Sequence, residues 1–341
     1  MSAVDAVENR FYDGEAVDAV VVLNSPLLGG HEAAIVRRAL SRTPRCMVLC
    51  ADGGYDRLKS VLSQDQPLPL AAVADVVCGD LDSIRDASDA IETVDTNADF
   101  PRTNAFRVLT AMRRDQTVDN ASHLPSQGGQ DVPRPLCRLR VTDQNTGDFE
   151  KCMQLLHLVA ASSPSDGHRV ATPSSPPRCR VVVLGFSGGA SRWDHEMATL
   201  HVAARFGTLP CFTVALHNAF STVSFCRPSC TTVFRRNRAH EGPGCALVPL
   251  GDAPARVRTE GMAWDLDYQG EEESQTQMTD GSRAFFGFTS GDSRRNAFIS
   301  TSNRAVDDRV LVHWVPRKGG RGGVGALAFF WHLKPTKAAK L

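Results

Sequence analysis

The sequence predicts an α/β plus all-β chain, with a first domain built on a parallel sheet and a second made of strands alone. Three observations carry this reading. The first half alternates apolar, β-branched runs with amphipathic stretches, the pattern of strands covered on both faces by helices. Each of those runs ends in glycine, aspartate or asparagine before the helical stretch begins, as strand-to-helix turns do. Beyond about residue 210 the helical period is gone, and short apolar runs alternate with turn residues.

Taken in order, residues 1–16 read as an N-terminal tail. Val17–Leu23, Cys46–Cys50, Val73–Cys78 and Arg180–Leu184 read as buried strands. The clearest helix follows Gly147, where Phe149, Cys152, Met153, Leu156 and Val159 fall three and four apart and give one apolar face to pack on the sheet. Residues 113–139 and 161–178 are rich in Pro, Ser, Gly and Gln without a period, so they read as surface insertions in an α/β domain spanning 17–209. In the second domain, 210–333, Cys211–Leu216, Thr222–Phe225, Ala246–Leu250 and Val310–Val315 read as strands. Residues 269–283 and 318–323 read as further loops, and 334–341 as a C-terminal tail.

Composition narrows the function. A chain of 341 residues with 42% apolar content is long enough for two cores. Lys plus Arg (38) equals Asp plus Glu (38), so no basic field exists to gather nucleic acid or an anionic membrane surface, and a small-molecule partner is expected. Apolar stretches such as Ala19–Leu23 and Ala326–Trp331 fall far short of the roughly 18 residues of a membrane span. Met1–Arg10 carries Asp5 and Glu8 and has no apolar signal region, which favours a cytoplasmic protein. Ten cysteines are scattered without a Cys-x-x-Cys pair and read as reduced, mostly buried thiols rather than metal ligands.

Strands of a parallel sheet deliver their C-terminal residues to one rim, where such folds bind ligands. Ala51-Asp52-Gly53-Gly54, Gly79-Asp80-Leu81-Asp82-Ser83 and Gly185-Phe186-Ser187-Gly188-Gly189 stand at those ends. Asp80 and Asp82, two apart in an extended segment, offer two hard oxygen ligands of the kind that hold Mg2+ against phosphates, although a solvated turn has the same look. Asp148 opens the helix after Gly147, where the helix dipole keeps a carboxylate ionised and where capping aspartates are common. The run to Gly189, followed by Arg192-Trp193-Asp194, offers backbone N–H groups and a forked donor for phosphate, or a turn made only for tight packing. Trp264 lies in a strand-like run and reads as core or as a ring-stacking surface, and Ser300-Thr301-Ser302-Asn303 as a turn or a hydrogen-bonding set for a heteroaromatic ring. Neither a Walker-A sequence nor a dinucleotide-binding glycine fingerprint occurs.

In this order, with Asp143-Gln144, Asp148-Phe149-x-Lys151-Cys152, Gly261-x-x-Trp264-x-Leu266 and Ser300-Thr301-Ser302-Asn303, the set resembles the thiamine pyrophosphokinases from about residue 17 to 315. The resemblance implies a homodimer whose α/β domain binds ATP and Mg2+ and whose C-terminal β-sandwich completes a thiamine site across the subunit interface. It implies pyrophosphoryl transfer from ATP to the hydroxyethyl oxygen of thiamine, giving thiamine diphosphate and AMP. Carried over by position, Asp80, Asp82 and Asp148 are similar to the metal and catalytic carboxylates, supported by Asp52. Gly53, Gly79, Ser83, Gly188, Gly189, Arg192 and Asp194 are similar to the nucleotide site. Gln144, Trp264, Ser300, Ser302 and Asn303 are similar to the thiamine contacts. The chain departs from the pattern at Gly147, where the family usually has threonine.

Two rival readings remain at this point. A haloacid-dehalogenase-like phosphohydrolase would use Asp80 as nucleophile and Asp82 as acid, but needs a further acidic pair at a strand end, and Asp307-Asp308 precedes an apolar run instead. A non-catalytic thiamine-binding sensor would have lost the carboxylates. The terminal Ala339-Lys340-Leu341 is a variant of the Ser-Lys-Leu peroxisomal address, a second destination beside the cytosol.

Overall fold

A computed structural model of the chain describes residues 4–8, 17–25, 30–42, 44–63, 73–84, 91–119, 136–162, 179–186, 192–250, 256–269, 300–316 and 326–334. Strand β1 (Val4–Glu8) precedes the four strands expected from the apolar runs. Those are β2 (Ala19–Val22), β3 (Met47–Ala51), β4 (Val76–Gly79) and, after β5 (Ile91–Val94) and β6 (Cys137–Val141), β7 (Cys179–Leu184). With β8 (Phe212–His217) they form a parallel array ordered β8-β7-β2-β3-β4-β6-β5. The chain winds outward from β2 and returns on its other side at β7, so the winding reverses between these two strands, where such sheets open a crevice.

Alternation along each strand feeds two cores. Val20, Val22, Val48, Cys50 and Val77 face α1 (Gly30–Ser41) and α2 (Gly54–Leu62), meeting Ile35, Val36 and Leu58. Val21, Leu49, Cys78, Leu139 and Val183 face α3 (Asn104–Asp119), α4 (Asp148–Ala161) and α5 (Trp193–Gly207). On α4 the stripe Phe149, Cys152, Met153, Leu156 and Val159 is wholly buried, as its spacing predicts.

The stretch read as an insertion at 113–139 needs correction at both ends, since α3 runs on to Asp119 and residues 137–139 begin β6. Residues 120–135 lie outside the described residues, as do 163–178 of the other insertion. This half of the helix was hidden because two of its buried positions are polar. Arg113 pairs with Asp18 at 3.2 Å, and Gln116 Nε2 donates to the carbonyls of Asp18 and Arg45. Asp18 also pairs with Arg180, so this network ties α3 and β7 to the N-terminal end of β2.

The sheet does not stop where the helices do. From β8 it continues antiparallel through β9 (Ser221–Cys226), β16 (Ala326–Leu333), β11 (Glu241–Leu250) and β14 (Ser300–Arg304), giving eleven strands in all. A second sheet, β1-β10-β15-β12-β13, packs over this antiparallel half, with β10 (Thr231–Arg235), β12 (Arg256–Glu260), β13 (Asp267–Gln269) and β15 (Arg309–Val315). Phe234, Val257, Val312 and Trp314 of the small sheet meet Leu247, Leu327, Phe329 and Trp331 of the large one, the interdigitated core of a β-sandwich. The polar run Ser300-Thr301-Ser302-Asn303 is thus a strand rather than a turn.

Val4–Glu8, in the stretch read as a tail, pairs parallel with β10 from Val4↔Thr231 to Glu8↔Arg235. It covers a sheet edge that would otherwise present unpaired backbone groups. All ten cysteines are free, and eight of them are buried. No helix among the described residues is long and apolar enough to cross a membrane.

Candidate active site

Three carboxylates meet at the C-terminal rim of β3 and β4. Oxygens of Asp52, Asp80 and Asp82 all lie within 4.8 Å of one another. Asp52 follows β3 and turns into α2 with φ at 43°, and Leu81, between the other two, has φ at 60°. A left-handed backbone at two such residues costs energy that a simple turn would avoid, and strain of this kind gathers at functional sites. Asp52 is only 3% exposed, and its Oδ1 is buried without a hydrogen-bond partner. A buried carboxylate oxygen with no donor, facing two more carboxylates, requires positive charge, which is the donor set a Mg2+ ion takes. Ser83 Oγ donates to Asp82 Oδ1 at 2.9 Å and steadies it.

Asp148 stands beside this trio and is held differently. Its Oδ1 accepts from the backbone N–H of Asp80 at 3.2 Å and from Lys151 Nζ at 3.1 Å. Burial pushes its carboxyl above the usual carboxylate range, with Asp80 and Asp52 adding to the rise and Lys151 opposing it. Lys151 itself is 2% exposed, an ammonium sealed beneath the rim with Asp148 as its ion-pair partner. The motif contained Lys151, but one turn of helix from Asp148 was not by itself a sign of a buried pair. Gly79 explains how closely these groups approach, because a Cβ there would stand 2.9 Å from Asp148 Cγ.

The remaining expected residues fall at four places. Gly53 caps α2, where a Cβ would press on the Asn24 side chain at 2.6 Å. Gln144 is exposed in the β6–α4 turn, which Asp143 fixes by accepting from the N–H of Asn145 and from Thr146 Oγ1, contacts that lower the Asp143 pKa. Arg192 and Asp194 form an exposed ion pair at the start of α5, on the rim beyond β7, with Arg192 Nε donating to Asp194 Oδ1 at 3.1 Å. That bond holds the Asp194 carboxyl below its ordinary range. Gly188 and Gly189 lie outside the described residues.

The fourth place is the far edge of the large sheet. Trp264 is 64% exposed at the tip of the β12–β13 connection, so it is not core. Asp265 braces that tip by accepting from Thr259 Oγ1 and the N–H of Met262, both at 3.0 Å. Asn303 Nδ2 donates to the Trp264 carbonyl at 2.7 Å, and its Oδ1 accepts from the Trp264 N–H at 3.2 Å. The Asn303 amide is therefore largely spent on holding the tryptophan's backbone. Ser300 and Ser302 lie on β14 beside it, with side chains outside the described residues.

A doubly wound sheet with a Mg2+-type carboxylate trio at its rim, joined to a β-sandwich that presents a bare indole, defines a metal-assisted phosphate-handling architecture with a second, ring-binding half. Comparison with known proteins makes this specific. Residues 231–313 match the family model described as thiamin pyrophosphokinase, vitamin B1 binding domain. Thiamine pyrophosphokinase 1 of Oryza sativa subsp. japonica is 26% identical over 261 residues, covering 75% of this chain and 76% of the relative. Thiamine pyrophosphokinase 1 of Arabidopsis thaliana is 24% identical over 271 residues, covering 77% and 73%. The fold is shared with yeast thiamin pyrophosphokinase (TM-score 0.55, 16% identity, 96% of this chain and 91% of that one). It is shared too with the Candida albicans protein (TM-score 0.52, 14% identity, 97% and 93%). Over about three quarters of its length the chain is similar to thiamine pyrophosphokinases, and residues 231–313 carry the match to their vitamin B1 binding domain.

Proposed function

We propose that this chain is a thiamine diphosphokinase that moves the β,γ-pyrophosphoryl group of ATP onto the hydroxyethyl oxygen of thiamine and releases AMP. The observation that carries the reading is the convergence of Asp52, Asp80 and Asp82 beside Asp148 on the rim of a chain whose residues 231–313 match a vitamin B1 binding model. Asp52, Asp80 and Asp82 would hold Mg2+, which when bound neutralises polyphosphate charge. In the reaction the thiamine oxygen bonds to the β-phosphorus, the bond from that phosphorus to the α,β-bridging oxygen breaks, and AMP carries that oxygen away. The hydroxyl proton needs an acceptor. Asp148 fits that role, because Oδ1 is engaged with Lys151 and Asp80 while Oδ2 has no hydrogen bond among the described residues. Its burial-raised pKa makes it a better base than an ordinary carboxylate.

Trp264 supplies the other half. Thiamine is cationic and aromatic, and an exposed indole face gains about 1–2 kcal/mol from it. Eight inter-strand steps separate β14, on which the Trp264 loop is anchored, from β4, about 40 Å along the sheet at ~4.8 Å each. A thiamine held by Trp264 of one chain therefore reaches the carboxylates of another more readily than its own, which supports a homodimer with composite sites. The dehalogenase-like reading is not favoured, since Asp308 is paired with Arg236 and Arg238 in the sandwich. We place the enzyme in the cytosol, with Ala339-Lys340-Leu341, outside the described residues, as a candidate peroxisomal address. Incubation with ATP, Mg2+ and thiamine tests the activity: thiamine diphosphate should form in the wild type and be lost in a folded Asp82→Asn variant, and full turnover in that variant would overturn the metal assignment.

A further inference from the structure

The rim has an unresolved charge problem. Asp52, Asp80, Asp82 and Asp148 gather there, Lys151 is buried and engaged by Asp148, and Arg192 is engaged by Asp194. A triphosphate brings about four more negative charges, more than one divalent cation neutralises. One exposed cation beside the trio is uncommitted. Arg140 lies on β6, which pairs with β4 so that Gly79 and Arg140 stand opposite each other. Its side chain is exposed, and its Nε–H donates to the carbonyl oxygen of Asp80 at 3.0 Å. Among the described residues no carboxylate forms an ion pair with it.

That single bond fixes the plane of the guanidinium against the aspartate loop and occupies one of its five N–H donors, leaving both terminal amino groups for another acceptor. A planar fork held at a polyanion site is the geometry that takes two phosphate oxygens at once. We propose that Arg140 is a binding residue for the donor polyphosphate, gripping the phosphoryl oxygens of ATP beside the carboxylate-held cation. This rests on the reading of the rim as an ATP site and adds a cation that none of the sequence motifs includes. Among the described residues Arg140 makes no hydrogen bond to Gln144 or Trp264, so its first effect falls on the donor rather than on thiamine.

The test uses the full-length protein and two variants, with measurements that separate grip from scaffolding. Binding of ATP and of inorganic tripolyphosphate, each with Mg2+, is measured by calorimetry for wild type, Arg140→Met and Arg140→Lys. Arg140→Met should weaken both ligands by the same factor, tenfold or more, while KM for thiamine stays within twofold and binding of Mn2+ alone is unchanged. Arg140→Lys should recover part of the loss. Equal tripolyphosphate affinity in wild type and Arg140→Met would overturn the proposal. So would a matching loss of Mn2+ affinity, which would mean that Arg140 only braces the aspartate loop. A wild type that binds tripolyphosphate through Arg140 yet makes no thiamine diphosphate would sink the proposed activity and leave this inference standing.

Discussion

Replacing Gly79 with alanine asks whether the carboxylates work at the spacing observed. The added methyl would stand 2.9 Å from Cγ and Oδ1 of Asp148 and 3.0 Å from Cβ of Asp52. Comfortable carbon contacts begin near 3.5 Å, so the two aspartates must separate by roughly 0.5 Å or more. Overpacking of this kind costs about 1–3 kcal/mol, a fall of a few degrees in Tm for a chain of this size. The larger effect is on turnover, because a misplacement of about 1 Å costs on the order of a hundredfold. Gly79→Ala should therefore lose roughly ten- to a hundredfold in kcat. Gly147→Ala is the matched control, six residues past the end of β6 and next to Asp148, where a Cβ meets nothing within 4 Å. It should keep its turnover. Steady-state rates and thermal melts on both variants decide the matter. Undiminished kcat in Gly79→Ala would refute the claim that Asp148 reacts from its place against Gly79.

Asp52→Asn should leave the melting temperature in EDTA unchanged or raised, since it relieves repulsion among three converging carboxylates, while the stabilisation given by Mg2+ shrinks; an undiminished Mg2+ response would remove Asp52 from the cation site. Trp264→Ala should raise KM for thiamine roughly five- to thirtyfold with little effect on ATP, as loss of about 1–2 kcal/mol implies. Mixing that variant with Asp82→Asn should restore part of the activity, and no restoration despite proven subunit exchange would place each site within one chain. Burial, with His31 and His240 nearby, holds buried His217 down to about 3 from an ordinary 6.5. The unfolded chain thus takes up the proton first, so this contribution is full above pH 6.5 and is lost as pH falls toward 3, about 2 kcal/mol by pH 5. Urea denaturation at pH 7 and pH 5 should show that loss in wild type and not in His217→Gln; equal losses would contradict it.

The strands of the parallel sheet were legible because each is buried on both faces and so reads as an unbroken apolar run, from Ala19–Val22 to Cys179–Leu184. Asp80 and Asp82 were legible because strand ends at a common rim are short in sequence and chemically distinctive. Local pattern carried less elsewhere. The second half of α3 was missed because Arg113 and Gln116 are buried through hydrogen bonds and an ion pair, which hydrophobic periodicity does not register. Strand β1 was missed because its partner β10 is over two hundred residues away. Asp52 joins the trio through a left-handed turn that no aspartate announces, and Arg140 reaches the rim only through its register opposite Gly79. Trp264 read as core or as a ring platform, and its exposure separates the two.

The account stands or falls on which bond of ATP is broken. Full-length protein, Mg2+ and thiamine are incubated with ATP labelled at the α- or at the β-phosphorus, and the products are separated. The account predicts β-label in thiamine diphosphate, α-label in AMP, and the two products in equal amounts. Label released as inorganic phosphate, or ADP formed in place of AMP, would contradict it.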